Sequence, residues 1–199
     1  MIGIVDIGLS NFKSAQKAVD KLNVSHKKVT GPDDFEDLTK LIFPGVGSYQ
    51  AAMQRLNRYQ LVKPINDHIN GGKPYLGICL GMQLLSHSGF EGGHTEGLGV
   101  LDADVVCMKP ANNAPLPHIG WNQINHDGEG LFEGIAKDAD FYFVHSYCMK
   151  LREPVLNFSV NYGGLHTCFV QKRNVVGAQF HPEKSQKNGL KFLENFLNA

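Results

Sequence analysis

The chain has 199 residues, 42% hydrophobic and 19% charged, enough apolar sequence for the core of one compact domain spanning residues 1–199. Lys+Arg and Asp+Glu balance at 19 each with neither sign gathered into a run, which argues against a nucleic-acid footprint or a polybasic membrane patch. No apolar stretch reaches membrane-spanning length and Met1-Ile2-Gly3-Ile4-Val5 reads as a first core strand, while four scattered cysteines suit free thiols in a reducing compartment; a cytoplasmic location is expected.

Strand and helix patterns alternate through the first half. Ile2 to Val5 is strand-like, and Asn11 is placed as N-cap of a helix whose Phe12, Ala15, Val19 and Leu22 recur at helical spacing. Val24 to Val29 predicts a second strand, and Leu41-Ile42-Phe43 a short buried one ending at Pro44-Gly45-Val46-Gly47. Amphipathic helices are expected through about Ile69, then a strand from Pro74 to Ile78. From Leu98 onward the chain is β-rich, with stretches at 99–106, 119–124, 141–144, 156–160, 166–170 and 175–179, before a closing helix from about Glu183 to Leu197. This order predicts an α/β fold: an open, mixed but mainly parallel sheet flanked by helices on both faces, with a β-rich C-terminal half. Ligands of such sheets bind at the carboxyl ends of the strands, where Pro44–Gly47, Cys79 and His181 fall.

The segment Gly77-Ile78-Cys79-Leu80-Gly81 follows the apolar Tyr75-Leu76 and precedes Met82-Gln83-Leu84-Leu85, which favours helix. It has the form of a nucleophile elbow built on cysteine, in which a sharp strand-to-helix turn exposes the reactive side chain. A buried structural cysteine is the plain alternative, but such a residue has no need of glycines two positions before and two after it. The helix N-terminus is expected to favour a thiolate. About a hundred residues later, His181-Pro182-Glu183 offers a base and a carboxylate to orient it, on the same side of an extended segment. Trp121, Phe141, Tyr142 and Phe143 read as core aromatics. His118 and His145 have no acidic or cysteine partner at metal spacing and read as structural or interface histidines. Gly71-Gly72-Lys73 lacks the rest of a P-loop, and Gly45-Val46-Gly47 lacks the third glycine of a dinucleotide fingerprint; neither a metal nor a nucleotide cofactor is expected.

Several segments together resemble the class I (triad) glutamine amidotransferases, of flavodoxin-like architecture, and within them the glutaminase subunits of imidazole glycerol phosphate synthases. They are Pro44-Gly45-Val46-Gly47, Gly77 to Leu85, Gly97-Leu98-Gly99, Pro117-His118-Ile119-Gly120-Trp121-Asn122, Tyr142 to Tyr147 and His181-Pro182-Glu183-Lys184-Ser185. The elbow and His-Pro-Glu are common to the class, whereas His-x-Gly-Trp-Asn and Phe-Val-His-Ser-Tyr are narrower. The resemblance implies that Cys79, His181 and Glu183 hydrolyse L-glutamine through a γ-glutamyl thioester. The oxyanion would be held by the Gly45-Val46-Gly47 loop and the Leu80 N–H, since glycines let a peptide flip and approach closely. Gln83, Glu91, Ser146 and Tyr147 are similar to residues that hold the glutamine amino-acid group. Lys184, Trp121 and Asn11 fall where the family meets its partner, a (β/α)8-barrel cyclase expected to form a heterodimer and to use the ammonia.

The first loop departs from the family pattern: Asp6-Ile7-Gly8-Leu9-Ser10-Asn11 replaces an aromatic with Ile7 and a glycine with Ser10. Those two positions are expected near the active-site edge and partner surface. They raise the alternative of a paralogue supplying ammonia to a sugar-amidating synthetase. A noncatalytic regulatory module would not need Cys79, His181 and Glu183 intact, and related cysteine-elbow hydrolases and peptidases commonly carry a histidine where this chain has Leu80.

Overall fold

The structure is a computed structural model that describes residues 1–9, 11–111 and 114–199; the substitution at Ser10 lies outside the described residues. The first half runs β1 (Ile2–Val5), α1 (Phe12–Lys21), β2 (His26–Val29), β3 (Lys40–Gly45), α2 (Tyr49–Arg58), α3 (Val62–Asn70), β4 (Tyr75–Cys79) and α4 (Leu80–Gln83). The second runs β5 (Ser88–Gly89), β6 (Thr95–Glu96), β7 (Ala103–Cys107), β8 (His118–Gln123), β9 (Asp140–His145), β10 (Tyr147–Leu151), β11 (Leu156–Asn161), β12 (Leu165–Lys172), β13 (Val175–Ala178) and α5 (Gln186–Asn198).

One sheet has the order β2-β1-β3-β4-β13-β12-β10-β7-β5-β6, with β11 beside β12, and β8 and β9 pair separately. Its β2-β1-β3-β4-β13 portion is parallel, and β12 and β10 continue it antiparallel. The predicted mixed α/β sheet is therefore present. Alternate residues of its strands feed two cores. Ile4, Ile42, Leu76 and Ile78 pack with α1 and α5, including Val19, Phe192 and Phe196. Val5, Leu41, Phe43 and Tyr75 pack with α2 and α3, including Leu56 and Ile65. The inner strands β1, β3, β4 and β13 thus bury both faces, as parallel sheets covered on both sides require.

Registers then decide what meets at the carboxyl edge. Gly45 pairs with Cys79, and Ala178 pairs with Ile78, so the loop after β3 and the residues after β13 flank the cysteine. The elbow is sterically closed to larger residues: a Cβ on Gly77 would collide with the Gly81 carbonyl, and one on Gly81 with the Phe43 carbonyl. Tyr75 Oη donates to that Gly81 carbonyl at 3.0 Å, pinning the turn from below.

Several expectations need correction. A helix does follow the elbow, but α4 is a single turn, Leu80–Gln83, that ends before Leu84 and Leu85, so its dipole offers a thiolate less than a long helix would. Asn11 stands at the start of α1 but its side chain does not cap it. Pro182–Lys184 is a 3₁₀ turn, not extended chain, and α5 begins only at Gln186. Trp121 is 44% exposed, unlike Phe141 and Phe143, which are fully buried. Ile7 is 1% exposed and belongs to a core, so that departure from the family pattern alters packing, not a partner surface. Strands β5, β6 and β10 had no counterpart in the sequence reading.

Candidate active site

Cys79 ends β4 with φ 53° and ψ −105°, a left-handed backbone that a non-glycine residue adopts only under constraint. The constraint is visible in the glycine contacts and the Tyr75 bond, and it turns the side chain out of the sheet toward a cavity. Val46, Gly47, Cys79, Leu80, Gln83, Glu91, Pro117, Val144, His145, Ser146 and Tyr147 line that cavity of about 270 Å³. Sites for drug-sized ligands run roughly 300–1,000 Å³; this one suits a small metabolite.

His181 lies three residues beyond β13, and its Nδ1 is 2.8 Å from Glu183 Oε1, both side chains fully buried. The 3₁₀ turn through Pro182 brings them together. Burial pushes the His181 imidazole toward neutrality, but Cys79 and Glu183 beside it prevail and hold it above its ordinary range. Burial likewise opposes ionisation of Glu183, while His181 and the Asn11 bond hold its carboxyl below its ordinary range. The two form an ion pair. Among the described residues nothing lies within hydrogen-bonding geometry of the buried His181 Nε2. Cys79 is near enough to affect its charge, but geometry decides that no hydrogen bond between them is closed in this state. Catalytic contacts commonly tighten only on substrate binding.

Asn11 Nδ2 donates to Glu183 Oε1 at 2.9 Å. Its amide therefore faces the His181–Glu183 pair and supplies the bond that keeps the carboxylate turned toward the histidine. Lys184 Nζ sits 5.6 Å above the Tyr142 ring, and Trp121 meets Tyr142 edge-on at 5.7 Å. The Tyr142 carbonyl accepts from the His181 N–H at 2.9 Å. Trp121 and Lys184 thus form an outer surface one residue away from the imidazole.

The Gly45-Val46-Gly47 loop runs along the other side of Cys79, but the Val46 N–H donates to the Leu9 carbonyl at 3.1 Å. That donor is turned away from the cysteine, contrary to the expectation for an oxyanion hole. Leu9 is held in turn by its own loop, where Asp6 Oδ1 accepts from the Gly8 N–H at 2.8 Å and Arg55 Nη1 donates to the Ile7 carbonyl at 2.8 Å.

Gln83 is 5% exposed, not a solvated helix residue; its Nε2 donates to the Tyr147 carbonyl at 3.1 Å and to Gln179 Oε1 at 3.0 Å. Glu91 Oε2 accepts from the Tyr49 N–H at 2.8 Å, at the start of α2. Ser146 and Tyr147 line the same cavity beside Gln83, so all four expected substrate residues reach it. That segment is set by a hydrogen-bonded pair of buried histidines. His145 Nδ1 donates to the Tyr147 carbonyl at 2.8 Å, its Nε2 accepts from His118 Nδ1 at 3.1 Å, and His118 Nε2 accepts from Asn122 at 2.7 Å. A carbonyl only accepts, so the whole series is satisfied with both rings neutral. Desolvation, with smaller contributions from neighbouring histidines, lowers both rings to about 4. Pro117, Val144, His145 and Gln179 are site residues the sequence reading did not assign. The available signal was position: Pro117, Val144 and His145 lie inside the motifs at 117–122 and 142–147, and Gln179 stands two residues before His181. Among the described residues no cluster of His, Cys, Asp or Glu is arranged to hold a metal.

Comparison with known proteins gives the family. The profile described as "Glutamine amidotransferase class-I" matches residues 3–199. The chain is 42% identical over 200 residues to the imidazole glycerol phosphate synthase subunit HisH of Rhodopirellula baltica, covering 100% of this chain and 98% of that one. It is 43% identical to the HisH subunit of Desulfitobacterium hafniense, with 98% and 93% covered. Among solved structures, PurLQS from Thermotoga maritima superposes with a TM-score of 0.78 at 19% identity, over 99% of this chain and 97% of that one. A glutamine amidotransferase from the same organism gives 0.66 at 18%, over 99% and 82%. At those identities the structures speak to the fold alone. The full-length profile and relatives near 40% identity settle the family: this chain belongs to the class-I glutamine amidotransferases.

Proposed function

We propose that the protein hydrolyses glutamine at Cys79 and hands the ammonia to a cyclase subunit, acting as the glutaminase subunit of an imidazole glycerol phosphate synthase. The observation that carries this reading is a small cavity lined by the elbow cysteine, Gln83 and Glu91, with the buried His181–Glu183 pair close enough to the cysteine to feel its charge. Relatives about 40% identical along their whole length bear the synthase-subunit name, which supports this choice among amidotransferases.

In this mechanism the Cys79 sulfur attacks the side-chain carboxamide carbon of glutamine. The imidazolium of His181, carrying the proton drawn from the Cys79 thiol, gives it to the departing ammonia, leaving a γ-glutamyl thioester and a neutral imidazole. Water, deprotonated by His181, then releases glutamate. Glu183 keeps the imidazole oriented and stabilises its cation. The developing oxyanion is received by the Leu80 N–H and, after the peptide turns, by an N–H of the Gly45–Gly47 loop. One such donor is typically worth about 3 kcal/mol of transition-state stabilisation. The bond from Val46 to Leu9 withholds it in this state, which makes the isolated protein a slow glutaminase awaiting its partner.

The partner surface is the patch of Trp121, Tyr142 and Lys184, extended by Ile119 at 58% exposure. A (β/α)8-barrel cyclase seated there would form a heterodimer and receive ammonia released beside His181. The test is glutamate release from glutamine by the purified protein, alone and with a histidine-pathway cyclase subunit and its ligand. A large rise with the cyclase, abolished in Cys79→Ala while folding and partner binding persist, is expected. Glutaminase activity retained in Cys79→Ala would sink the mechanism, and no rise beside a cyclase active on free ammonia would sink the partner assignment.

A further inference from the structure

We infer that Gln179, a residue outside the triad, is the positioning residue that joins the nucleophile to the substrate-binding amide. The inference rests on the glutaminase reading of the cavity and extends it to how that site is held. Gln179 is fully buried, directly after β13, where the register of Ala178 with Ile78 sets it against Cys79. Its own N–H donates to the Cys168 carbonyl at 2.8 Å, so its backbone is fixed. Its side-chain Nε2 donates to the Cys79 sulfur at 3.5 Å, and its Oε1 accepts from Gln83 at 3.0 Å.

The direction of these bonds is dictated by chemistry. Amide oxygen and nitrogen are assigned from their partners, and here the series ends on a backbone carbonyl. The Tyr147 carbonyl only accepts, so Gln83 must turn its NH2 group inward. The second hydrogen of that group then meets Gln179, which must present oxygen. That leaves Gln179 only N–H groups to point at sulfur. The relay therefore starts at Gln83, which donates both to Tyr147 and to Gln179, and Gln179 donates on to Cys79. It has two consequences. A hydrogen-bond donor faces the sulfur, placed to stabilise the negative charge that the sulfur carries as it attacks. Both hydrogens of the Gln83 amide are engaged, so the group it offers the cavity is an acceptor, fitted to an ammonium such as that of an α-amino acid.

Two substitutions separate these consequences. Glutamate at 179 keeps an oxygen for Gln83 but removes the donor to sulfur and adds a negative charge beside it. Methionine removes both contacts. The readout is the rate at which iodoacetamide alkylates Cys79, followed on the Cys79 peptide because Cys107 is exposed and would react as well, with the glutamine concentration that protects Cys79 as the second measure. In Gln179→Glu alkylation is expected to slow by about tenfold or more, the scale of losing a hydrogen bond to a charged group, while half-protection by glutamine stays within about threefold of the unaltered protein. In Gln179→Met both are expected to worsen, alkylation slowing and protection requiring about tenfold more glutamine. Should a buried glutamate prevent folding, the methionine variant carries the test alone. Unchanged alkylation in a folded variant, or unchanged protection in Gln179→Met, overturns the inference. Slowed alkylation in both variants of a protein that turns over no glutamine with any partner would uphold the relay and defeat the glutaminase reading instead.

Discussion

The two flanks of Cys79 are built to opposite standards. On the β13 side, Gln179, His181 and Glu183 are buried, and each bonds into the sheet or into another member of the group. On the β3 side, Val46 and Gly47 are exposed and the Val46 N–H is bound to Leu9 instead of facing the cysteine. The difference teaches where control resides. Moving charges buried in low dielectric is costly, so the His181–Glu183 pair is preassembled. A single exposed peptide hydrogen bond contributes only about 1 kcal/mol net, so under the proposed function the Gly45–Gly47 loop is the element for a partner to move.

The comparison can be broken or sharpened by measurements of decreasing expected effect. Glu183→Gln removes the charge that holds His181 protonated and oriented, and kcat for glutamine is expected to fall by about 100-fold or more with and without cyclase. A variant that keeps full stimulated activity would show that the buried flank is not the catalytic one.

The His118–His145 pair gives a pH signature. Histidines of the unfolded chain take up protons near pH 6.5, roughly, whereas the folded pair stays neutral until about 4. The unfolded state therefore binds more protons across that window, and stability falls as pH drops through it, by on the order of 2 kcal/mol. Urea unfolding at several pH values checks this. A curve that does not fall from neutrality toward pH 4.5 would mean that the pair is not held neutral.

Arg55 anchors the Ile7 carbonyl and, through that loop, the Leu9 carbonyl that occupies Val46. In Arg55→Met, partner-free glutaminase is expected to rise by about three- to tenfold, since freeing the loop from a contact of about 1 kcal/mol shifts its equilibrium by that factor. Basal glutamate release that stays level or falls, in a folded variant, would remove the loop from control.

The smallest effect is a control remote from both flanks. Lys40 Nζ donates to the carbonyls of Phe196, Leu197 and Ala199, completing the C-terminus of α5. Lys40→Met is expected to lower stability by about 1 kcal/mol while leaving basal and cyclase-stimulated kcat/KM alone. Altered stimulation would imply that the helix end communicates with the site.

Legibility followed the range of the interactions. The elbow was readable because its requirements lie within five residues: two glycines that no side chain can replace, around one cysteine. His-Pro-Glu was readable as a local pair, though the turn that joins its ends is 3₁₀ and not extended. The helices of the first half carry clear amphipathic spacing, whereas β10 was missed because Tyr147–Leu151 has no strict alternation. Strands β5 and β6 have two residues each, too few to leave a pattern. The four substrate residues came by resemblance, and their convergence on one cavity could not be derived from spacing.

The kind of chemistry is set by short segments, an elbow whose glycines no side chain can replace and a histidine two residues from a glutamate. How that chemistry is held depends on contacts between segments far apart in the chain. Asn11 meets Glu183 across 172 positions, and Gln179 meets Cys79 across 100. Whether Val46 faces a transition state or the Leu9 carbonyl depends on how two loops from different strands lie against each other. Such hydrogen bonds are chosen by sheet register and burial, and neither is written in the local order of residues.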